Sequence, residues 1–559
     1  MPRHRPEAAP RRCRPAPHPF AAALLVLASA LPLPLHASAR RDCAQPADLV
    51  LRGGRVFTAD SLRPWAQAVA VRRGRIVVVG DDRAVSGCIG RRTRVVPLDG
   101  RVVIPGINDA HDHVGDVLPG TPLITERSPT PDPPSALVRD SLRAAVRHAR
   151  PGTWIVGQIG LRALGDTTFR RDALDAAAPQ HPVALFTWWG HPALINSSAM
   201  RRLEITESVR DPLGGWYERD ARGRLTGRVD ETAKMDIDRR IRATMPMDSL
   251  VRALRAYSAD ALAMGVTSVQ VMATALPPAL EVESFRRAAL PQRVHIIRWS
   301  IPDATSLREV EWTSVAPREP TRITPRLVVA GRKWVLDGTP VEGGAVMRTP
   351  WPATHPVMPG GRGRLLFSSD TLAAMLRRAL APSAPQLMLH VAGDSVAPLV
   401  LRTMERLAPD EVWRSRRLRL EHADGLTGAD IARAQRLGVV VGQPRAETAM
   451  LGDWDRGGLV YAYGADGLRN PWVHLLNAIT GAPQRVTTRE AWVTAMTRSA
   501  AFAEGQETTK GTLREGMLAD LVVLSQDVFQ VPVEALPATR AMLVVIGGAV
   551  VVDGLGGAR

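Results

Sequence analysis

The sequence predicts an α/β protein: a TIM-like (β/α)8 barrel carrying a small β-sandwich domain formed from both termini. Three observations lead there. From about Ile107 to Ala503, short apolar runs alternate with stretches of helical apolar spacing. Both ends of the chain are instead rich in short β-branched runs punctuated by paired glycines. Histidines close several of the apolar runs, where a parallel barrel gathers strand ends on one rim.

Size and composition allow this architecture. A chain of 559 residues is too long for one small domain and long enough for a large core with a satellite. Hydrophobic content of 45% and charged content of 23% are those of a globular protein with a buried core. Residues 1–39 read as a signal peptide. Arg3, Arg5, Arg11, Arg12 and Arg14 form a basic start, Phe20 to Leu31 an apolar stretch, and Ala37-Ser38-Ala39 a small-residue cleavage site. That apolar stretch is shorter than the roughly 20 residues needed to span a bilayer, although an uncleaved anchor is the alternative. After cleavage no stable membrane insertion is expected, and the protein is placed in the periplasm or outside the cell. The leader accounts for +4 of the formal charge of +17. What remains is dispersed arginine among Asp and Glu, with 4% aromatic residues and no basic stripe, so a solvated basic surface is expected and nucleic-acid binding is not.

The elements follow in order. Residues 40–105 contribute the first part of the β-domain through "DLVLRGGRVFTAD", "AQAVAVRRGRIVVVGD" and "RTRVVPLDGRVVIPG". Cys43 and Cys88 are the two cysteines left after the leader, and in an oxidising compartment they are predicted to form a disulfide, two free thiols being the alternative. Residues 106–504 form the barrel, with a large insertion at about 115–245. Its strand candidates are "PVALFTW", "GVTSVQVM", "RVHIIRW", "RLVVAGRKWVL", "PQLMLHVAG", "RLRLEHA" and "GVVVGQP". "SLVRALRAYSADALAMG", "DTLAAMLRRALA" and "VAPLVLRTMERLA" carry helical spacing. A doubly wound sheet is the rival, and the lack of a Gly-rich phosphate loop after the first strand speaks against it. Residues 505–559 return to the β-domain through "GTLREGMLADLVVLSQD" and "RAMLVVIGGAVVVDG".

Chemistry concentrates at strand ends. His111 and His113 stand at i and i+2 in "INDAHDH", so on a strand both rings face one side. His390 ends "PQLMLH" and His422 ends "RLRLEH". Taken singly, each reads as a core histidine; gathered on one rim, they read as metal ligands. Asp466 in "YAYGADGLRN" is either a ligand and base or an Asx-turn residue before Gly467. Lys333 is unusual by type. Of 72 basic residues only Lys234, Lys333 and Lys510 are lysine, and Lys333 lies inside the apolar run "GRKWVLDGTP".

In order and spacing these segments resemble the amidohydrolase superfamily, specifically amidohydrolase family 3, the branch with N-substituted formamide deformylase-like enzymes. "VIPGINDAHDH" is similar to the family's first-strand segment, "GRKWVLDGTPVEGGA" to its lysine segment, "LHVAGD" and "LEHAD" to its histidine strands and "GADG" to its last-strand aspartate. The last departs from the family, which more often has serine before the aspartate. "LDAAAPQHPVALFTWWGHPALINSSAM" and "GGWYERDARGRLTG" match its insertion, and "GTLREGMLADLVVL" its return to the β-domain.

The resemblance implies a metal-dependent hydrolase barrel holding one or two divalent ions, zinc first. His111 and His113 would bind one ion and His390 and His422 the other. Lys333, N6-carboxylated by carbon dioxide, would bridge them, which a guanidinium cannot do. Asp466 would contact the first ion and act as general base, so Asp466, Lys333 and His422 carry the catalytic roles. His191 and Trp188, from the insertion, are candidates to touch substrate. The implied activity is hydrolysis of a non-peptide amide-type C–N bond in a small molecule. Ester or lactone hydrolysis at the same centre, or a non-catalytic periplasmic binding protein, are the alternatives. A homo-oligomer is compatible with the sequence.

Overall fold

The computed structural model describes residues 43 and 45–555, apart from 116–117, 124, 127, 129, 273, 301–320, 444–448 and 482–485. The leader at 1–39 lies outside the described residues.

Eight strands form the barrel: β1 (Ile107–Asp112), β2 (Val266–Met272), β3 (Arg293–Trp299), β4 (Leu327–Val335), β5 (Leu387–Val391), β6 (Arg419–His422), β7 (Val440–Gln443) and β8 (Tyr461–Tyr463). They run side by side in chain order, and every ladder between them is parallel. The ends of the sheet meet where the Asp466 N–H, just past β8, donates to the His111 carbonyl at 2.8 Å. The barrel is therefore nearly closed. Strands of this kind are covered on both faces, which is why β2 and β5 are buried at every residue, β2 even at Thr267, Ser268 and Gln270.

The helices between strands bury one face. The helix Met247–Met264 buries Leu250, Leu254, Tyr257, Ala261 and Leu262 at spacings of one helical turn. It stops at Gly265, whose φ of 93° only glycine adopts without strain. The next residue opens β2.

One strand candidate lies within the bounds expected for the insertion. "PVALFTW" forms Val183–Thr187, which belongs not to the barrel but to a separate six-stranded sheet in the insertion. It pairs antiparallel with Pro192–Ile195 across a turn at Gly190, which has φ 87°. A buried apolar run has the same pattern in either sheet, so only pairing distinguishes them.

Strands from both termini share a second six-stranded sheet, in which Val102–Pro105 lies beside Leu521–Leu524. A four-stranded sheet faces it, and Leu49, Val69 and Val71 of one pack with Val103, Leu521 and Val545 of the other. Val102–Pro105 is joined to β1 by Gly106 alone. A Cβ there would stand 2.1 Å from the Thr267 hydroxyl, so glycine is needed for the close crossing. Arg293 on β3 grips Asp520 with two hydrogen bonds, at 2.7 and 3.0 Å, fixing the sandwich to the barrel.

Cys43 and Cys88 form a disulfide with Cα atoms 4.9 Å apart. It packs against the small core of Ala47, Val50 and Ala68. Closing a loop between residues 45 apart restricts the unfolded chain, so Cys88→Ser should lower unfolding stability by about 2–4 kcal/mol. Denaturant midpoints of oxidised wild type and variant check this, and equal midpoints would remove the disulfide as a stabilising element.

Candidate metal centre

The predicted residues arrive at the barrel mouth from four strands and one loop. His111, on β1, is fully buried. Its Nδ1 lies 2.7 Å from Oε2 of Glu421 on β6. A carboxylate only accepts, so Nδ1 carries the proton and Nε2 presents its lone pair inward. That Nε2 is 3.2 Å from Lys333 Nζ and 3.7 Å from Asp466 Oδ1. His113 reaches the same carboxylate oxygen with Nε2 at 3.3 Å, and its side chain is partly exposed. The ligand atoms of His111, His422 and Asp466 lie within 4.8 Å of one another. The His390 ring stands 4.4 Å from that of His422. Its Nε2 is buried with no hydrogen-bond partner among the described residues, a state a metal ion would relieve.

Register explains the convergence. In the β4–β5 ladder Val335 faces His390, and Lys333 faces Met388 one layer deeper. The long lysine chain spans that difference. In the β5–β6 ladder Val391 faces His422. At the ladder ends and just past them the backbone turns sharply: His422, Ala423 and Asp466 hold φ of 72°, 53° and 43°. Non-glycine residues adopt this region at a cost that clusters at functional sites.

Burial sets the protonation. It pushes His111 down to about 4, with Lys333 adding to the effect, and His422 down to about 3. His390 is driven well below the ordinary histidine value by burial and by His422. All three are therefore neutral imidazoles, the ligand form, at neutral pH. Burial brings Lys333 down to about 8 against the pull of Glu421 and Asp466. For Asp466 burial acts upward, but His111, His113 and His422 outweigh it and hold the carboxyl well below the usual range. The donor set is imidazole nitrogen and carboxylate oxygen, with one buried ring nitrogen lacking a partner, and it suits a divalent ion such as zinc.

Sequence reasoning missed the residues that hold these ligands. Glu421 is fully buried, and its carboxyl is pulled down to about 2; burial opposes this, but Arg419 and His111 outweigh it. Arg419 Nε lies 2.9 Å from Glu421 Oε1, and its Nη2 donates to the Ala110 carbonyl at 2.9 Å. Asp109 accepts the N–H groups of His111 and Ala465 at 3.1 and 3.0 Å; Asp112 accepts those of His113 and Gly467 at 2.9 and 3.1 Å. These carboxylates bind β1 to the loop bearing Asp466. Asp337 accepts three N–H groups, from Val346, Ala392 and Gly393, and so pins the chain just past His390. The available signal was a charge inside an apolar strand, as in "RLRLEH".

The two insertion candidates part company. His191 reaches the centre, with its ring 5.1 Å from that of His390. Trp188 is half-buried and stacks edge-on with Trp189 at 5.3 Å, and no described contact brings it to the ligands.

A model of the amidohydrolase family matches residues 94–552. The chain is 27% identical to the protein LONG AFTER FAR-RED 3 of Arabidopsis thaliana over 555 residues, covering 90% of this chain and 92% of that one. It is 33% identical to the N-substituted formamide deformylase of Arthrobacter pascens over 253 residues, 44% of this chain and 45% of the other. In fold it resembles a solved metal-dependent hydrolase of Pyrococcus furiosus at TM-score 0.62 and 20% identity, covering 86% of this chain and all of that one.

If Glu421 orients His111, then Glu421→Gln, which keeps the volume and removes the charge, should weaken metal affinity about 10- to 100-fold. Chelator competition measures this; unchanged affinity would leave Glu421 a packing residue.

Proposed function

The chain belongs to the amidohydrolase family, and from that premise we propose that it is a metal-dependent hydrolase of a non-peptide amide-type C–N bond in a small molecule. The observation that carries this is Asp466, a carboxylate kept ionised among His111, His113 and His422 at the mouth of the barrel. His111, His113, His390, His422 and Asp466 would hold one or two divalent ions. When bound, such an ion polarises a carbonyl and raises the acidity of water. Asp466 Oδ1 then takes the proton of the attacking water and hands it to the leaving nitrogen. An amide needs that second transfer because an unprotonated amine leaves poorly. The formamide deformylase likeness supports this choice of bond.

Lys333 serves as a carbamate. Its free amine adds to carbon dioxide, an N–C bond forms, and the nitrogen releases a proton. A cation that would repel the ions becomes an anionic ligand. Burial favours the free amine by lowering Lys333 to about 8. Residues 1–39 would act as a cleavable export signal, and the Cys43–Cys88 disulfide suits the oxidising compartment beyond the membrane. The mature chain should then begin near Arg40, which N-terminal sequencing of secreted material reads directly.

Lys333→Ala should lose metal and at least about 100-fold in activity, with partial rescue by a short-chain carboxylic acid. Lys333→Arg should stay inactive; full activity would contradict the carbamate. Asp466→Asn should keep most of its metal yet lose about 10²- to 10⁴-fold in kcat. Matched amide and ester substrates decide the bond: turnover of the ester alone would replace amide by ester or lactone hydrolysis at the same centre.

A further inference from the structure

The insertion brings a second set of donors beside the first. His191 follows the turn at Gly190, Glu231 opens the helix Glu231–Arg242, and Glu342 lies in the loop beyond β4. All three are buried, and their ligand atoms lie within 4.8 Å of one another. His191 Nδ1 stands 2.9 and 3.0 Å from the two Glu231 oxygens. Glu342 is fixed by the Thr339 N–H at 2.6 Å and by the Thr339 hydroxyl.

The charges there are poorly answered. Among the described residues no lysine or arginine lies within ion-pair distance of Glu231 or Glu342, and Glu231 pairs with His191 alone. Arg228 and Lys234, whose fields reach the cluster, are committed to Asp230 at 2.7 Å and Asp238 at 3.3 Å. Buried carboxylates persist when paired or when they coordinate metal. The backbone also keeps room for them. A Cβ on Gly338 would stand 2.5 Å from Glu342 Oε1 and 3.1 Å from Glu231 Oε1, and one on Gly344 would again meet Glu342 Oε1 at 2.5 Å. Glu231 holds φ 55°, a strained value for a glutamate. The His390 ring, 5.1 Å from His191, carries the buried Nε2 that has no hydrogen-bond partner among the described residues.

We propose that His191, Glu231 and Glu342 form a second divalent-cation site, bordering the first at His390 and taking a transition ion such as zinc. One imidazole and two carboxylates with positions left open match that ion's preferences. The site uses none of His111, His113, His422, Asp466 or Lys333 as ligands and meets the first centre only at His390, so its test is read separately from the hydrolytic proposal above.

Zinc content after dialysis, by elemental analysis, tests it in wild type, Glu342→Gln, His422→Ala and the double variant. Far-UV circular dichroism and melting temperature confirm folding, and Glu231→Gln replaces Glu342→Gln if the latter does not fold. Glu342→Gln is expected to remove about one zinc ion per chain, in wild type and in the His422→Ala background alike. Folded Glu342→Gln and Glu231→Gln proteins holding as much zinc as their parents would overturn the site. So would loss of all zinc in folded His422→Ala alone, since every ion would then depend on the first centre.

Discussion

A buried imidazole can serve a metal only if something decides which ring nitrogen keeps the proton. Here the chain Arg419–Glu421–His111 makes that decision, and much of the barrel mouth is arranged around it. Glu421 accepts the Nδ1 proton of His111, and Arg419 keeps Glu421 ionised. Three charged or polar side chains are thereby buried in mutual contact, where each alone would be costly. Neighbouring strands yield space for them. A Cβ on Gly442 of β7 would stand 2.1 Å from Glu421 Oε2, and one on Gly464, just past β8, would stand 2.4 Å from His111 Cβ. The glycine of "GADG" is thus a packing requirement of the histidine opposite.

That arrangement needs β1 held at one height, and the terminal sandwich does so. β1 continues from a strand of the shared sheet through Gly106, and the Arg293–Asp520 pair locks the same sheet to β3. Asp109 and Asp112 then fasten the loop after β8 to β1. The satellite at the chain ends and the ligands at the barrel mouth belong to one mechanical unit.

The insertion adds chemistry as well as bulk. Its sheet carries His191 to within ring contact of His390, and Glu231, at the strained start of a helix, sets its carboxylate 2.9 Å from His191 Nδ1. Two carboxylate–histidine pairs therefore flank the same space. Glu421 with His111 is built from the barrel, Glu231 with His191 from the insertion.

The alternation of apolar runs and helical stretches was legible as a parallel barrel because strands covered on both faces are mostly apolar. His111, His390 and His422 could be picked out because they close apolar runs whose ends a parallel barrel gathers on one rim, and Lys333 because lysine is rare in this arginine-rich chain. Other features were beyond pattern. "PVALFTW" has the composition of a barrel strand; its likeness to the family's insertion segment set it apart, and its place in that sheet comes from its pairing with Pro192–Ile195. Glu421, Asp109 and Asp337 look like ordinary charges beside more conspicuous residues; their partners lie 310, 356 and 56 residues away. Trp188, three residues from His191, stacks edge-on with Trp189. The sequence alone determined which residue types could ligate and on which strand ends they sit, since both follow from local periodicity. Which nitrogen, which carboxylate and which second histidine meet was decided by the tertiary structure, because those contacts exist only once distant strands have closed around them.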